Sequence, residues 1–284
     1  MKYYEINFMI QPLSQDARDI LAAMAGDIGF ETFEETSEGL KGYVQQSLFD
    51  QEALDQTIQF FPMENIHIIY HVEEAEDKDW NEQWEQEGFE PIIIGNGEMM
   101  IHDGRHLPQS PIPITIEIDA HLAFGTGTHE TTQMVCATLL EEPLKNKKLL
   151  DAGCGTGILG IAALKLGAKN VTAYDIDEWS VENTRHNAII NQVDEHLNVL
   201  CGDASLLDSI SECFDFVVAN INRNILLQDM PRFRQVMNPN GTFILSGFYT
   251  EDIPLLEAKG KELGLTLVNQ RENNHWACIV MREG

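Results

Sequence analysis

The glycine-rich stretch LLDAGCGTGILG, residues 149–160, constrains the fold more than any other part of the sequence. It carries a G-x-G-x-x-G spacing, follows a strand-like run at 147–151 and leads into a helix-like run at 158–166. A strand, a tight glycine turn and a helix in this order are typical of a nucleotide-binding unit, because the turn lets backbone N–H groups approach a ligand. The spacing alone does not distinguish a dinucleotide from another ligand that contains adenosine.

Strand-like and helix-like segments alternate from Leu144 onward. This alternation predicts a doubly wound α/β domain with a mostly parallel sheet, whose ligand lies at the C-terminal ends of the strands. The last two strand-like segments, LTLVNQ and HWACIVMR, flank a turn at RENN and are typical of a hairpin. One strand of that hairpin must therefore run antiparallel to the rest of the sheet.

The N-terminal segment predicts a separate, small α+β domain. Ser14 is a plausible N-cap of a first helix, Gly29 and Gly39 separate two strand-like runs, and a second helix must end before Pro62. The resulting order βαββαβ predicts a ferredoxin-like sandwich. We assign residues 1–74 to this domain, 75–95 to a linker with a helix that carries Trp80 and Trp84, and 96–284 to the nucleotide-binding domain.

The charge balance narrows the classes of partner. The chain has 46 acidic and 18 basic residues and a formal net charge of -28, which repels phosphate backbones. Direct nucleic-acid binding is therefore not expected, whereas a basic protein or a cationic small molecule would be attracted. Neither a secretory leader nor a membrane-length apolar run is evident, so we expect a soluble, cytoplasmic protein.

Metal and disulfide chemistry have little support in the sequence. The five cysteines form no C-x-x-C pair, and we interpret them as small buried or turn thiols. His67 and His71 lie four residues apart in one strand-like run and could share a face, but we interpret them as structural. No metal site is predicted.

Asp151 argues against a dinucleotide. It lies two residues before the first glycine of the turn, where a carboxylate would oppose a pyrophosphate. S-adenosylmethionine contains adenosine without a pyrophosphate, and its amino and sulfonium groups are cationic. We therefore predict this cofactor, with Asp151 and Gly155 among the residues that bind it.

Three polar residues follow successive strand-like runs of the larger domain. Asp175 lies twenty-two residues beyond Gly153, where a carboxylate can accept both ribose hydroxyls. Asp203 can accept the adenine amino group. The amide oxygen of Asn220 can accept the N–H groups of an incoming amine, so that the neutral amine nitrogen is aligned with the methyl–sulfur bond. Asn220 is the predicted catalytic residue, and these residues favour methyl transfer over redox chemistry.

Several motifs together resemble one enzyme family. AFGTGTHETT at 123–132, the glycine stretch, AYDID and VVANI closely resemble the bacterial methyltransferases that modify large-subunit ribosomal protein eleven. The resemblance implies a seven-stranded class I methyltransferase fold, with Thr132, Gly153, Asp175 and Asn220 at the cofactor. It also implies methylation of lysine side chains and of an N-terminal amine, on a ribosomal protein recognised by the small domain either free or on the ribosome.

The segment FGTGTHETT is the most specific of these motifs. We expect a glycine-rich turn, with Phe124 and Gly125 at the cofactor, that leads into a helix capped near Thr126 or Thr128. Its backbone N–H groups suit the carboxylate of the methionine moiety.

Three alternatives remain open. An N-methyltransferase acting on release-factor glutamine or on a nucleobase would share the cofactor site, although the two prolines and the stacking aromatic typical of such enzymes do not follow Asn220. An NAD-dependent oxidoreductase would use the backbone N–H groups of the glycine turn to bind a pyrophosphate. A non-catalytic binding protein would keep the glycine loop as a scaffold.

Overall fold

The computed structural model describes residues 3–46, 48–63, 66–74, 89–107, 111–119 and 127–283. The chain divides into two compact units, Met1–Glu82 and Gln83–Gly284. The linker helix expected around Trp80 and Trp84 lies outside the described residues, as do Phe124 and Gly125. Within the described part of the chain, no helix is both long enough and apolar enough to span a membrane.

The first unit contains a four-stranded antiparallel sheet and two helices. In chain order they are β1 (Tyr3–Gln11), α1 (Gln15–Asp27), β2 (Phe30–Glu35), β3 (Gly39–Gln45), α2 (Gln51–Gln59) and β4 (His67–Glu74). The strand order is β2-β3-β1-β4. This is the arrangement of a ferredoxin-like sandwich, as the sequence predicts.

Local sequence explains the elements of this unit. Alternate residues of β1, Ile6, Phe8 and Ile10, are buried in its core. The Ser14 hydroxyl accepts a hydrogen bond from the N–H of Ala17, which confirms the predicted cap of α1.

The second unit contains two sheets. The smaller sheet has three strands, β5 (Ile92–Ile94), β6 (Met99–His102) and β7 (Ile114–Glu117), in that order. The larger sheet has seven strands: β8 (Lys148–Ala152), β9 (Asn170–Asp175), β10 (Leu197–Cys201), β11 (Phe214–Asn220), β12 (Met237–Tyr249), β13 (Leu265–Asn273) and β14 (Trp276–Glu283).

The strands of the larger sheet follow the order β10-β9-β8-β11-β12-β14-β13. Strand β14 runs antiparallel to both β12 and β13, whereas the pairs from β10 to β12 are parallel. The predicted antiparallel hairpin strand is therefore β14. The strand order reverses between β8 and β11, and parallel α/β sheets bind ligands at such a position.

Helices cover both faces of the larger sheet. One buried apolar cluster packs three helices against one face: α3 (Glu130–Glu141), α4 (Ile158–Lys165) and α5 (Glu178–Ile190). A second cluster packs two helices against the other face: α6 (Arg223–Gln235) and α7 (Ile253–Glu262). Helices on both faces explain why the inner strands β8, β11 and β14 bury consecutive side chains rather than alternate ones.

Two local features were not marked in the sequence analysis. Helix α7 is one of them, and its Pro254 lies in the first turn, where a proline is tolerated. Helix α3 is capped by His129, whose Nδ1 accepts a hydrogen bond from the N–H of Thr131 at 3.2 Å. The cap thus lies one residue after Thr128, near which the sequence predicts it, and Thr126 lies outside the described residues.

Candidate functional site

A cavity of about 590 Å³ lies at the C-terminal ends of the central strands of the larger sheet. Six of the residues predicted from the sequence line it: Thr132, Gly153, Gly155, Asp175, Asp203 and Asn220. These residues come from α3, the glycine turn and the ends of β9, β10 and β11. The fold thus brings most of the predicted site residues to one cavity.

The glycine turn after β8 forms one wall of this cavity. Gly153 and Gly157 have φ angles of 72° and 80°, which the backbone of residues other than glycine rarely adopts. A Cβ atom on Gly153 would lie 2.3 Å from Cγ2 of Ile221, a residue that also lines the cavity. The backbone of the turn therefore lies too close to Ile221 for a larger residue at this position.

Asp175 ties the turn to the end of β9. Its Oδ2 accepts the N–H of Gly155 at 2.9 Å, and its Oδ1 accepts the N–H of Asp177 at 3.1 Å. A carboxylate has about four acceptor positions. Asp175 therefore keeps capacity for hydroxyl groups of a ligand while its orientation is set by two backbone bonds.

Asn220 and Thr132 meet at the other end of the cavity. Nδ2 of Asn220, at the end of β11, donates to Oγ1 of Thr132 at 3.4 Å. Thr132 lies in the first turn of α3 and is buried. No described residue donates a hydrogen bond to Oδ1 of Asn220 in this arrangement, so this oxygen is available to accept an N–H group of a ligand.

Asp203 begins a short 3-10 helix, Ala204–Ser209, at the end of the cavity opposite Asn220. Its Oδ1 accepts the N–H of Ser205 at 2.8 Å. Hydrogen bonds from Ser205 lower the pKa of Asp203 and keep the carboxyl ionised.

Helix α6 contributes residues that the sequence analysis missed. Ile225, Gln228, Asp229 and Arg232 line the cavity with the i, i+3, i+4, i+7 spacing of one helix face. Asp229 is largely buried, and burial raises its pKa. Tyr174 also lines the cavity, and its buried hydroxyl has no hydrogen-bond partner among the described residues. Asp229 lies beside the apolar residues Leu226 and Met230, and this position is the signal in the sequence that could have identified the cavity-lining face of α6.

Asp151 lies behind the glycine turn rather than in the cavity. Its side chain is fully buried, and Oδ2 accepts the N–H of Gly160 at 2.9 Å, while Oδ1 has no partner among the described residues. Burial raises the pKa of this carboxyl to about 7. This position gives no support to the predicted contact between Asp151 and the cofactor. The sequence alone does not reveal to which side of the turn the carboxyl points.

Of the other titratable candidates, Cys154 lines the cavity, whereas His67, His71 and the other four cysteines do not. His67 and His71 are exposed on β4, and Nε2 of His71 lies 3.3 Å from Glu73. The described residues contain no cluster of potential metal ligands. All five cysteines are free: Cys136, Cys154 and Cys278 are buried, and Cys201 and Cys213 are exposed.

Several known proteins that are similar to this chain share one name. A family model described as Ribosomal protein L11 methyltransferase (PrmA) matches residues 17–284. A protein named ribosomal protein L11 methyltransferase from Phocaeicola vulgatus is 45% identical over 279 residues, which cover 98% of each chain. One of the same name from Chlorobaculum parvum is 31% identical over 95% of this chain and 93% of its own. A crystal structure of ribosomal protein L11 methylase from Lactobacillus delbrueckii aligns with a TM-score of 0.63 at 30% identity, over 69% of this chain and 100% of that one.

Proposed function

The chain belongs to the ribosomal protein L11 methyltransferase family, and we propose that it transfers methyl groups from S-adenosylmethionine to lysine side-chain and N-terminal amines of ribosomal protein L11. One observation carries the proposal: a single cavity joins the glycine turn and Asp175 to the Asn220–Thr132 pair. The comparisons give no support to a glutamine, nucleobase or NAD-dependent enzyme.

The residues of the cavity fit this cofactor. The glycine turn accepts a ligand where no Cβ would fit, Asp175 retains acceptor capacity for the ribose hydroxyls, and Asp203 can accept the adenine amino group. Thr132 and the backbone N–H groups at the N-terminal end of α3 would hold the carboxylate of the methionine moiety. The buried position of Asp151 keeps its carboxyl behind the turn, so its role is to support the backbone at Gly160.

Asn220 is suited to orient the substrate amine. The bound cofactor supplies a methyl group activated by a sulfonium. Thr132 accepts from Nδ2 of Asn220 and thereby orients the amide, so that Oδ1 can accept an N–H group of the amine. Such positioning of two reactants accounts for much of the rate of a transfer reaction. A lysine amine has a reference pKa of about 10.4 and must lose its proton first, whereas an α-amine near 8 is partly neutral.

The small N-terminal unit is the proposed site of protein recognition. It has its own apolar core and carries more acidic than basic residues, which suits a basic ribosomal protein, free or on the ribosome. The charge of the whole chain disfavours direct binding of nucleic acid. A reaction on a ribosomal protein implies that the enzyme acts in the cytoplasm.

Label transfer tests the proposal. The protein is incubated with methyl-labelled S-adenosylmethionine and undermethylated ribosomal proteins from its own cell, and the labelled protein is identified by mass spectrometry. We expect label on ribosomal protein L11. Label on ribosomal RNA or on release factors would contradict the proposal.

A further inference from the structure

An ion pair fixes the turn that follows β11, the strand that ends at Asn220. Arg223, the first residue of α6, lies three residues beyond Asn220. Its Nη1 donates to Oδ1 of Asp252 at 2.7 Å, across a separation of 29 residues in the chain. Asp252 ends a short 3-10 helix, Thr250–Asp252, that follows β12. The pair therefore ties the turn at 220–223 to the segment beyond the neighbouring strand.

The charge of Arg223 is unfavourable for α6 alone. The N-terminal end of a helix carries a partial positive charge, so a cation is disfavoured there and favoured in the last turn. Arg234 of the same helix lies in the last turn, whereas Arg223 lies at the first residue. The position of Arg223 is therefore explained by its partner Asp252 rather than by the helix itself.

Asp252 is a fixed anchor for this pair. Its side chain is 8% exposed, compared with 39% for Arg223. Oδ2 of Asp252 accepts the N–H of Tyr249 at 3.2 Å, which leaves Oδ1 directed at the guanidinium. A buried carboxylate is costly without an opposite charge, so Asp252 and Arg223 hold each other in place.

The backbone of the turn at 220–223 packs against the end of β12. The N–H of Ile221 donates to the carbonyl of Ser246 at 3.2 Å. A Cβ atom on Gly247, whose φ angle is 92°, would lie 2.5 Å from the carbonyl oxygen of Ile221. The turn is thus held at Ile221 by backbone contacts and at Arg223 by the ion pair. Both restraints act within three residues of Asn220.

The contact made by Asn220 is sensitive to the position of this turn. Its Nδ2 lies 3.4 Å from Oγ1 of Thr132, a long hydrogen bond compared with the usual length of about 2.9 Å. A small displacement of the turn would break this bond and release the amide. Misplacement of a reacting group by about 1 Å can lower the rate on the order of 100-fold.

We propose that Arg223 and Asp252 are positioning residues for Asn220. They hold the turn at 220–223 so that Oδ1 of Asn220 stays directed at the incoming amine. This inference rests on the proposed function, because it takes Asn220 as the residue that orients the amine. The ion pair does not line the cavity, and Asp175 and the glycine turn are held by other contacts. Loss of the pair should therefore lower turnover and leave cofactor affinity nearly unchanged.

Three single variants of the full-length protein test this separation, with purified ribosomal protein L11 as the substrate. Arg223→Met should lower kcat about tenfold while the Kd of S-adenosylhomocysteine changes by less than about threefold. Arg223→Lys should keep kcat within about threefold of the parent, because a single N–H group makes the bond to Asp252. Arg234→Met is the matched control. It removes the 2.7 Å ion pair with Glu283 at the other end of α6 and should change neither kcat nor Kd.

A double variant distinguishes positioning from stability. Arg223→Met combined with Asp252→Asn leaves no unpaired buried charge and keeps an acceptor for the N–H of Tyr249. Its melting temperature should be close to that of the parent, yet its kcat should remain about tenfold lower. It also serves if Arg223→Met alone does not fold.

A double variant with the kcat of the parent would show that the pair is structural only. Equal losses in kcat and in affinity for S-adenosylhomocysteine would also contradict the inference, as would an equal loss of kcat in Arg234→Met. Failure of the unaltered protein to methylate L11 would instead contradict the proposed function, and this inference with it.

Discussion

Asn220 and Asp175 line the same cavity, but their bonds assign them different tasks. Asn220→Ala should lower kcat on the order of 100-fold while the Kd of S-adenosylhomocysteine changes by less than about threefold, because the lost group orients the amine. Asp175→Ala is the matched comparison. It should raise that Kd at least about 100-fold, since two charge-assisted bonds to the ribose are lost. Equal losses in kcat and affinity for Asn220→Ala would make it a cofactor residue only.

The buried carboxyl of Asp151 predicts a pH dependence of stability. Burial raises its pKa to about 7 in the folded protein, whereas in the unfolded chain it titrates near 4. Between these values the folded state binds more protons than the unfolded state, so this group lowers the free energy of unfolding as pH rises from about 4 through 7.

Asp151→Asn removes that titration and keeps an acceptor for the N–H of Gly160. The variant should therefore gain stability relative to the parent between pH 5 and pH 8, measured by urea unfolding without cofactor. Other carboxyls titrate in both proteins, so the difference between them isolates Asp151. A stability difference that is the same at both pH values would contradict the assignment.

Individual site residues were predictable where sequence position determines the direction of a side chain. Asp175 and Asn220 end parallel strands, and the ends of such strands meet at one edge of the sheet. Asp151 also lies in a strand, but whether its carboxyl faces the cavity or the packed helix behind the turn depends on tertiary packing. The same holds for Asp229, which lies in a helix that no motif marks, and for Tyr174, which lies within AYDID but was not singled out from the sequence.

Among the elements, the glycine turn and α5 are packed too closely for a larger residue. A Cβ atom on Gly157 would lie 2.7 Å from Cγ2 of Thr184, and the bond from Thr184 to the carbonyl of Gly155 prevents that side chain from moving away. Because of this close contact and the positive φ, Gly157→Ala should lower the free energy of unfolding by about 2 to 4 kcal/mol. Calorimetry of thermal unfolding measures this cost.

Gly26→Ala is the control for this substitution. Gly26 lies in α1, and outside the backbone of that helix no atom lies within 4 Å of the point that a Cβ at this residue would occupy. Its replacement should raise stability by up to about 1 kcal/mol. A Gly157→Ala variant as stable as the parent would show that the turn can relax, and the close-packing argument would fail.

The order of the elements was more predictable than their ends. Alternating strands and helices, and the terminal hairpin, are encoded by periodicity and turn residues, and the antiparallel β14 follows from them. The cap of α3 by His129 was not predictable, because it depends on a ring nitrogen rather than on the usual hydroxyl or carboxylate. The hydrogen bonds from Asn183, Asn187 and Asn191 to the backbone of residues 117–119 were also not predictable, because they join parts of the chain that are far apart in sequence.

At the scale of the whole molecule, the two units have separate apolar cores, one within residues 4–72 and the others within residues 89–281. A chain truncated to begin at Gln83 should therefore fold and bind S-adenosylhomocysteine with a Kd within about threefold of the full-length value. Its methylation of ribosomal protein L11 should fall on the order of 100-fold, because the docking surface that raises the local concentration of the amine is lost. Methylation of L11 at nearly the full-length rate would show that the small unit serves another purpose.

The central claim is that this chain methylates amines of ribosomal protein L11 at the cavity that contains Asn220. The most direct measurement is the mass of purified, unmodified L11 after incubation with S-adenosylmethionine and the full-length protein, followed by peptide mapping, with Asn220→Ala in parallel. We expect added methyl groups on lysine side chains or the N-terminal amine with the parent protein, and far fewer with the variant. An unchanged mass of L11, or methyl groups that the Asn220→Ala variant adds equally fast, would contradict it.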